Sequence, residues 1–243
     1  MICLLHTSDL HFGAEDKGAL DWFAASAHEM RPDAIVVTGD ITQRARRREF
    51  AAASRYLSAL PAPVILEPGN HDLPYFNPIE RFLRPHRRVR KVEGLVEADV
   101  ELPGVTIVSL PTTAAFQLRF NWSLGHVTSS EIKSAVRGVR AAPPDQIVIV
   151  ACHHPLVDNA KTGTKGRTRK GETALRKLAA AGADMILSGH VHTPYDLTET
   201  IDGNTIRLVG AGTLSERLRE APPGFNEIRI ADGEITVVPH VED

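Results

Sequence analysis

Five short stretches of the chain carry oxygen and imidazole donors: Asp9-Leu10-His11, Gly39-Asp40, Gly69-Asn70-His71-Asp72, His153-His154 and Gly189-His190-Val191-His192. Mixed Asp, Asn and His donors without thiolate suit borderline-to-hard ions such as manganese, iron or zinc, rather than a cysteine-based structural zinc. The donors outnumber what one ion needs, which points to a two-metal site. Asp40 is suited to bridge, because a carboxylate offers two oxygens. Read singly, each stretch has an ordinary structural meaning as well. Gly-Asn-X-Asp makes turns, and an aspartate such as Asp9 caps helices. Their recurrence at successive strand ends favours the metal.

The elements that must position these donors are legible around them. Buried strands are predicted at Ile2–Ser8, Ala34–Thr38, Pro63–Glu67, Val105–Leu110, Ile147–Cys152 and Met185–Leu187. Five of the six run directly into a donor stretch, at the strand C-terminal edge where polar groups collect in layered α/β proteins. Period two then places Asp9 and His11 on one side of the chain, and His190 and His192 likewise. Gly39 lets the backbone turn sharply and come close to whatever Asp40 holds.

Helical spacing predicts helices over about Asp16–Met30, Arg46–Leu60, Ser129–Val139 and Thr173–Ala181, with a short one at Glu80–Leu83. Val89–Val100 alternates as a hairpin or edge strands would. Strand-like runs at Asp196–Ile201, Thr205–Val209, Glu227–Ile230 and Glu234–Val238 are joined by turns at Asp202-Gly203 and Asp232-Gly233. The order of elements is that of an α/β chain. No tandem repeat or long polar linker interrupts it, so residues 1–243 are expected to form one domain.

Three regions are candidates for contacting a substrate. Arg44 lies four residues beyond Asp40, within reach of an anion held there. The loop Pro111–Gly125 carries Arg119, Asn121 and Trp122. The segment Lys161–Lys170, rich in Gly, Thr and basic residues including Arg169, follows the histidine doublet and suits a phosphate-facing surface loop.

The totals narrow the function classes. With 243 residues, 42% apolar and 24% charged, the chain suits a soluble globular protein with ample core. A net charge of −2 gives no electrostatic case for a nucleic-acid or membrane partner. The start, Met1–His6, lacks the basic region and length of a signal peptide, and no stretch approaches ~18 apolar residues. A cytoplasmic location is expected. Cys3 and Cys152 lie in apolar strands and are expected to be buried, reduced thiols. The antiparallel C-terminal edge could pair with a second copy of the chain, and nothing in the sequence requires it.

Taken in order, Asp9-X-His11, Gly39-Asp40, Gly69-Asn70-His71-Asp72, His153 and Gly189-His190-X-His192 resemble the signature of the calcineurin-like metallophosphoesterases, over about residues 2–192. The resemblance implies a four-layer αββα sandwich with two metal ions, divalent or mixed-valence, at the strand C-terminal ends. It places Asp9, His11 and His192 on the first ion and Asn70, His153 and His190 on the second, with Asp40 bridging. His71 would be a non-ligand facing the leaving group, and His154 would sit behind the ligands. In such a centre two cations activate a bridging hydroxide that attacks phosphorus, while His71 protonates the departing alkoxide. The Gly-Asn-His-Asp context is most similar to bacterial phosphodiesterases, including class III cyclic nucleotide phosphodiesterases. The expected substrate is thus a small phosphodiester. A phosphomonoesterase, a nuclease of the same fold and a non-catalytic scaffold are the alternatives. A hydrolase of lipid-sugar pyrophosphates is disfavoured, as no apolar lid is legible.

Overall fold

A computed structural model describes residues 1–96, 101–114, 123–158, 168–219 and 221–242. Two five-stranded sheets face each other. In chain order the first half gives β1 (Ile2–Thr7), α1 (Lys17–Met30), β2 (Ala34–Val37), α2 (Arg47–Ser58), β3 (Val64–Leu66), α3 (Pro78–Leu83), α4 (Arg87–Val96) and β4 (Val105–Ser109). The second half gives α5 (Ser129–Ala141), β5 (Ile147–Ala151), α6 (Gly171–Ala179), β6 (Met185–Ser188), β7 (Tyr195–Ile201), β8 (Asn204–Gly210), β9 (Gly224–Ala231) and β10 (Glu234–Val241). One sheet has the order β10-β9-β1-β2-β3 and the other β4-β5-β6-β8-β7.

Within the first sheet β1, β2 and β3 are parallel, and β9 returns from the far end of the chain to pair antiparallel with β1. In the second, β4, β5, β6 and β8 are parallel and β7 closes the edge antiparallel. Alternation along each strand sorts side chains into three separate cores. Leu5, Ile35 and Val37 pack against Phe23, Phe50, Leu57 and Val92 of the helices over the first sheet. Leu4, Val36, Ile149, Leu187 and Ile228 fill the space between the sheets. Val148, Val150 and Ile186 pack against Ile132, Leu175 and Leu178 of α5 and α6. The architecture is therefore helix, sheet, sheet, helix. Each such fully buried aliphatic side chain stabilises the sandwich by about 1.5–3 kcal/mol.

The helix caps follow local chemistry. Asp16 accepts from Ala19 N–H to start α1, and Thr128 and Glu131 form a reciprocal capping box at α5. The basic run Arg44–Arg48 straddles the start of α2, and buried Glu49 accepts from the Arg44 and Arg46 amides there.

Two expectations are corrected. The stretch beginning at Val89 is helical rather than a hairpin or edge strands. Val89, Val92 and Val96 are buried on one face of α4 at spacings of three and four, so period 3.6 wins over a superficial alternation; residues 97–100 lie outside the described part. Cys152 is buried, but Cys3 is only half-buried. Its thiol is pushed up to about 11 by burial and by the neighbouring Glu227 and Asp33 carboxylates. Among the described residues no helix is long and apolar enough to cross a membrane. Six of the large exposed apolar side chains, Tyr75, Phe76, Ile79, Phe82, Leu83 and Leu95, cluster on or beside α3 and α4, an apolar feature that the sequence reading did not register.

Candidate metal centre

The donor stretches meet at one end of the sandwich, on tight loops rather than on strands. Asp9, His11, Asp40, His190 and His192 all have positive φ, between 45° and 68°. This corrects the period-two argument: β1 ends at Thr7, and Asp9 and His11 converge through left-handed turns. Non-glycine residues rarely adopt this region, and tertiary bonds hold them in it. Asp9 and His11 amides donate to the carbonyls of Gly39 and Asp40 at 3.0 and 2.9 Å, so the first loop lies along the second. Gly39 has φ of 95°, and a Cβ there would sit 2.6 Å from His153 Nδ1. A Cβ on Gly189 would collide with the Ser8 hydroxyl.

The donors form two sets. In the first, His192 Nε2 lies 3.0 Å from Asp9 Oδ1, His11 Nε2 lies 3.5 Å from the same oxygen, and the two Nε2 atoms are 3.3 Å apart. Ligands about 2.1 Å from a shared ion stand roughly 3.0 Å apart at octahedral angles and roughly 3.4 Å apart at tetrahedral ones, so this triangle has the size of a coordination face. In the second set His153 Nε2 lies 3.2 Å from Asn70 Oδ1 and 3.4 Å from Asp40 Oδ2, with the His190 ring centroid 5.2 Å from that of His153. Asp40 Oδ2 also lies 3.8 Å from His11 Nε2. It is the oxygen common to both sets. Asp40 Oδ1 is already used, accepting from the His71 amide at 2.7 Å. Sharing would thus run through one oxygen rather than through two.

A surrounding layer of bonds aims each donor. His153 Nδ1–H donates to Thr38 O at 2.7 Å and His192 Nδ1–H to Arg217 O at 2.6 Å, which turns both Nε2 atoms inward. Asp9 Oδ2 accepts from the Ser8 hydroxyl at 2.6 Å and the His190 amide at 2.8 Å, leaving Oδ1 for the centre. Buried Asp72 accepts from the amides of Gly69 (3.0 Å), Ile41 (3.2 Å) and Thr42 (2.8 Å) and from the Thr42 hydroxyl (2.8 Å). That carboxylate clamps the Asp40 loop to the Asn70 loop.

The histidine doublet is resolved by its partners. His154 has both ring nitrogens engaged, Nδ1 with the Thr112 hydroxyl at 2.9 Å and Nε2 with Ser123 O at 2.9 Å. Burial and the neighbouring His190 and His153 hold its imidazole well below the usual range. It lies beside His153 and His190, yet it has no lone pair to spare for an ion. His153 does.

Charge is complementary across the sets. Burial alone would raise the Asp9 and Asp40 carboxyls, but the histidines around them hold both well below the usual range. Burial opposes a charge on His153 too, and the Asp40 carboxylate outweighs it, lifting that imidazole to about 9. The donor chemistry and spacing fit two cations.

His71 stands beside this centre and is half-buried. Its Nδ1–H donates to Gln43 O at 2.7 Å, its ring packs edge-on to His11 with centroids 4.8 Å apart, and Tyr75 lies 6.0 Å away on the solvent side. Arg44 and Arg169 are exposed, and the Arg169 backbone is paired to Gly125 and Val127. Arg119, Asn121 and Trp122 lie outside the described residues.

One residue was not legible. Arg217, between β8 and β9, places Nη1 3.0 Å from His71 Nε2, 3.3 Å from His11 Nε2 and 3.4 Å from Gln43 Oε1. The only sequence signal is its place two residues after Gly212-Thr213-Leu214-Ser215, in a loop that follows a strand at the same edge as the donors.

Comparison with known proteins agrees with this geometry. A profile of calcineurin-like phosphoesterases matches residues 4–194, and the chain belongs to that family. It is 38% identical to the glycerophosphodiester phosphodiesterase GpdQ of Enterobacter lignolyticus (strain SCF1), over 31% of this chain and 33% of that protein. The chain thus matches about a third of that relative's length. Among solved structures it resembles a dimetal phosphatase from Danio rerio, with a TM-score of 0.71, 12% identity, and 98% and 95% of the two chains covered. It also resembles the purple acid phosphatase PPD1 of yellow lupin, Lupinus luteus, with a TM-score of 0.63, 12% identity, and 99% and 51% covered. These likenesses identify the fold as that of the metallophosphatases.

Proposed function

We propose that the protein is a dinuclear metal-dependent phosphodiesterase acting on a small phosphodiester, with cyclic nucleotides and glycerophosphodiesters as the leading substrates. The observation that carries this reading is the pair of donor sets sharing Asp40 Oδ2 with His71 beside them. Asp9, His11 and His192 would hold one ion, Asn70, His153 and His190 the other, and Asp40 both. When bound, such ions, manganese, iron or zinc, supply Lewis acidity toward water and the phosphoryl oxygens.

The chain's own residues do the rest. His71 is held by Gln43 O through Nδ1, so Nε2 is the atom that faces a departing alkoxide. It can deliver a proton there when it is protonated and Arg217 Nη1, which contacts it at 3.0 Å, has turned to the substrate. A leaving group there would lie beside Tyr75, which is half exposed and offers an apolar wall. The partial likeness to a glycerophosphodiester phosphodiesterase supports the diester reading.

The test compares initial rates of the manganese-loaded protein on bis(p-nitrophenyl) phosphate and p-nitrophenyl phosphate. A clear preference for the diester is expected. Monoester preference would move the protein to the phosphatases, and the absence of turnover, with metal bound, would leave a scaffold. His71→Ala should lose about 10²–10⁴-fold on an alkyl diester and much less on a nitrophenyl ester, whose leaving group needs no proton. Equal losses on both would remove the acid role.

A further inference from the structure

We propose that Arg217 is a substrate-binding residue, its guanidinium taking a non-bridging oxygen of the phosphodiester beside His71. This rests on the phosphoesterase reading above. Among the described residues the polar contacts of the guanidinium run through Nη1, to His71, His11 and Gln43. Among the described residues no carboxylate pairs with it, and its Nε and Nη2 N–H groups have no protein partner. A partly buried guanidinium whose Nε and Nη2 N–H groups lack acceptors has given up hydration without replacing it. An anion bound at the Nε and Nη2 N–H groups supplies the acceptors they lack. A guanidinium is the group whose planar fork fits phosphoryl oxygens.

The backbone fixes where this side chain can reach. Thr213 Oγ1 donates to Asp9 O at 2.7 Å and the Ser215 hydroxyl lies 2.7 Å from Thr213 Oγ1. The Glu216 amide donates to Ala14 O at 3.1 Å, and Arg217 O accepts from His192 Nδ1–H. The loop is therefore tied to one predicted ligand at Asp9 and to another at His192. Because the His192 bond uses the carbonyl, replacing the Arg217 side chain leaves it in place. Side-chain and backbone roles separate cleanly.

The experiment measures inorganic phosphate binding by calorimetry to manganese-loaded wild type, Arg217→Met and Arg217→Lys, with metal content determined on the same samples. One lost charged hydrogen-bond partner predicts a roughly 10- to 100-fold weaker phosphate affinity in Arg217→Met. Metal content should be unchanged, and Arg217→Lys should recover part of the loss. On a diester, KM should rise more than kcat falls. Unchanged phosphate affinity in Arg217→Met, or wild type that binds no phosphate, would overturn the inference. So would lost metal in both variants, which would make the side chain a support of the centre. Should wild type hydrolyse no phosphoester while Arg217→Met still loses phosphate affinity, the anion role stands and the enzymatic reading fails.

Discussion

Asp72 offers the sharpest test of how the site is held, because its carboxylate accepts three backbone amides and one hydroxyl while fully buried. Asp72→Ala leaves the N–H groups of Ile41, Thr42 and Gly69 without a protein acceptor. Each buried orphan costs about 1–3 kcal/mol, giving roughly 3–9 kcal/mol in total, a large part of the ~5–15 kcal/mol that keeps a typical protein folded. Asp72→Asn is the discriminating partner. Its remaining oxygen can serve Ile41 and Gly69, and its amide can donate to the Thr42 hydroxyl, so only the Thr42 N–H is stranded. The expected cost is then about 1–3 kcal/mol. Urea unfolding in the presence of a chelator reads both numbers without contribution from bound metal. Metal titration should show weaker binding in both variants, in the same order, since the clamp joins the loops of Asp40 and Asn70. Loss of less than ~0.5 kcal/mol in Asp72→Ala, or equal losses in the two variants, would refute the orphan-donor reasoning.

Further perturbations probe other parts of the molecule. Asp40→Ala should lower bound metal at both positions, because Asp40 Oδ2 faces both donor sets; metal content equal to wild type would sink the shared role. Gly189→Ala drives a methyl into Ser8 and toward Asp9 Oδ2, which should cost about 1–3 kcal/mol of stability and weaken the Asp9, His11 and His192 set. An unchanged melting temperature and metal affinity would contradict that close approach. His6 is buried between Thr38 Oγ1 at 3.0 Å and Asn226 Nδ2 at 3.3 Å, and burial holds it down to about 3 from an ordinary 6.5. The unfolded chain therefore takes up a proton near pH 6.5 that the folded chain refuses. The contribution is complete above pH 6.5 and drains away as pH falls toward 3, at about 1.4 kcal/mol per unit. His6→Gln should flatten this part of the acid loss in melting curves of metal-free protein between pH 7.5 and 5; parallel curves for the two proteins would exclude it.

The donor set was legible because hard ligands at strand ends have few other reasons to recur, and the strands themselves were apolar and short. What stayed hidden depended on partners distant in sequence. The place of His153 directly after its strand already favours it over His154; what the sequence does not show is the reason, Thr112 and Ser123, which occupy the second histidine. Asp72 reads as a turn residue until its acceptors are seen to hold the loop after β2. Arg217 carries no spacing relation to any ligand, since its place is set by the pairing of β8 and by bonds to Asp9 and His192. The helix at Arg87–Val96 is obscured for a different reason: basic residues interrupt its valines, so the sequence shows alternation before it shows the spacings of three and four. The apolar side chains exposed on α3 and α4 were likewise visible only once the faces of those helices were known.

The pairing of β1 with β9 sets a timetable for making the protein. Ile2–His6 sits between residues 34–37 and residues 226–230, so one flank of β1 stays bare until β9 has been made. The donors are divided in the same way, with Asp9, His11, Asp40 and Asn70 emerging early and His153, His190 and His192 late. The full donor set is therefore complete only once His192 has been made. A chain halted before β9 would present an open strand edge, the kind of template on which nascent chains aggregate; one halted before β6 would in addition hold an acidic half-site still lacking His190 and His192.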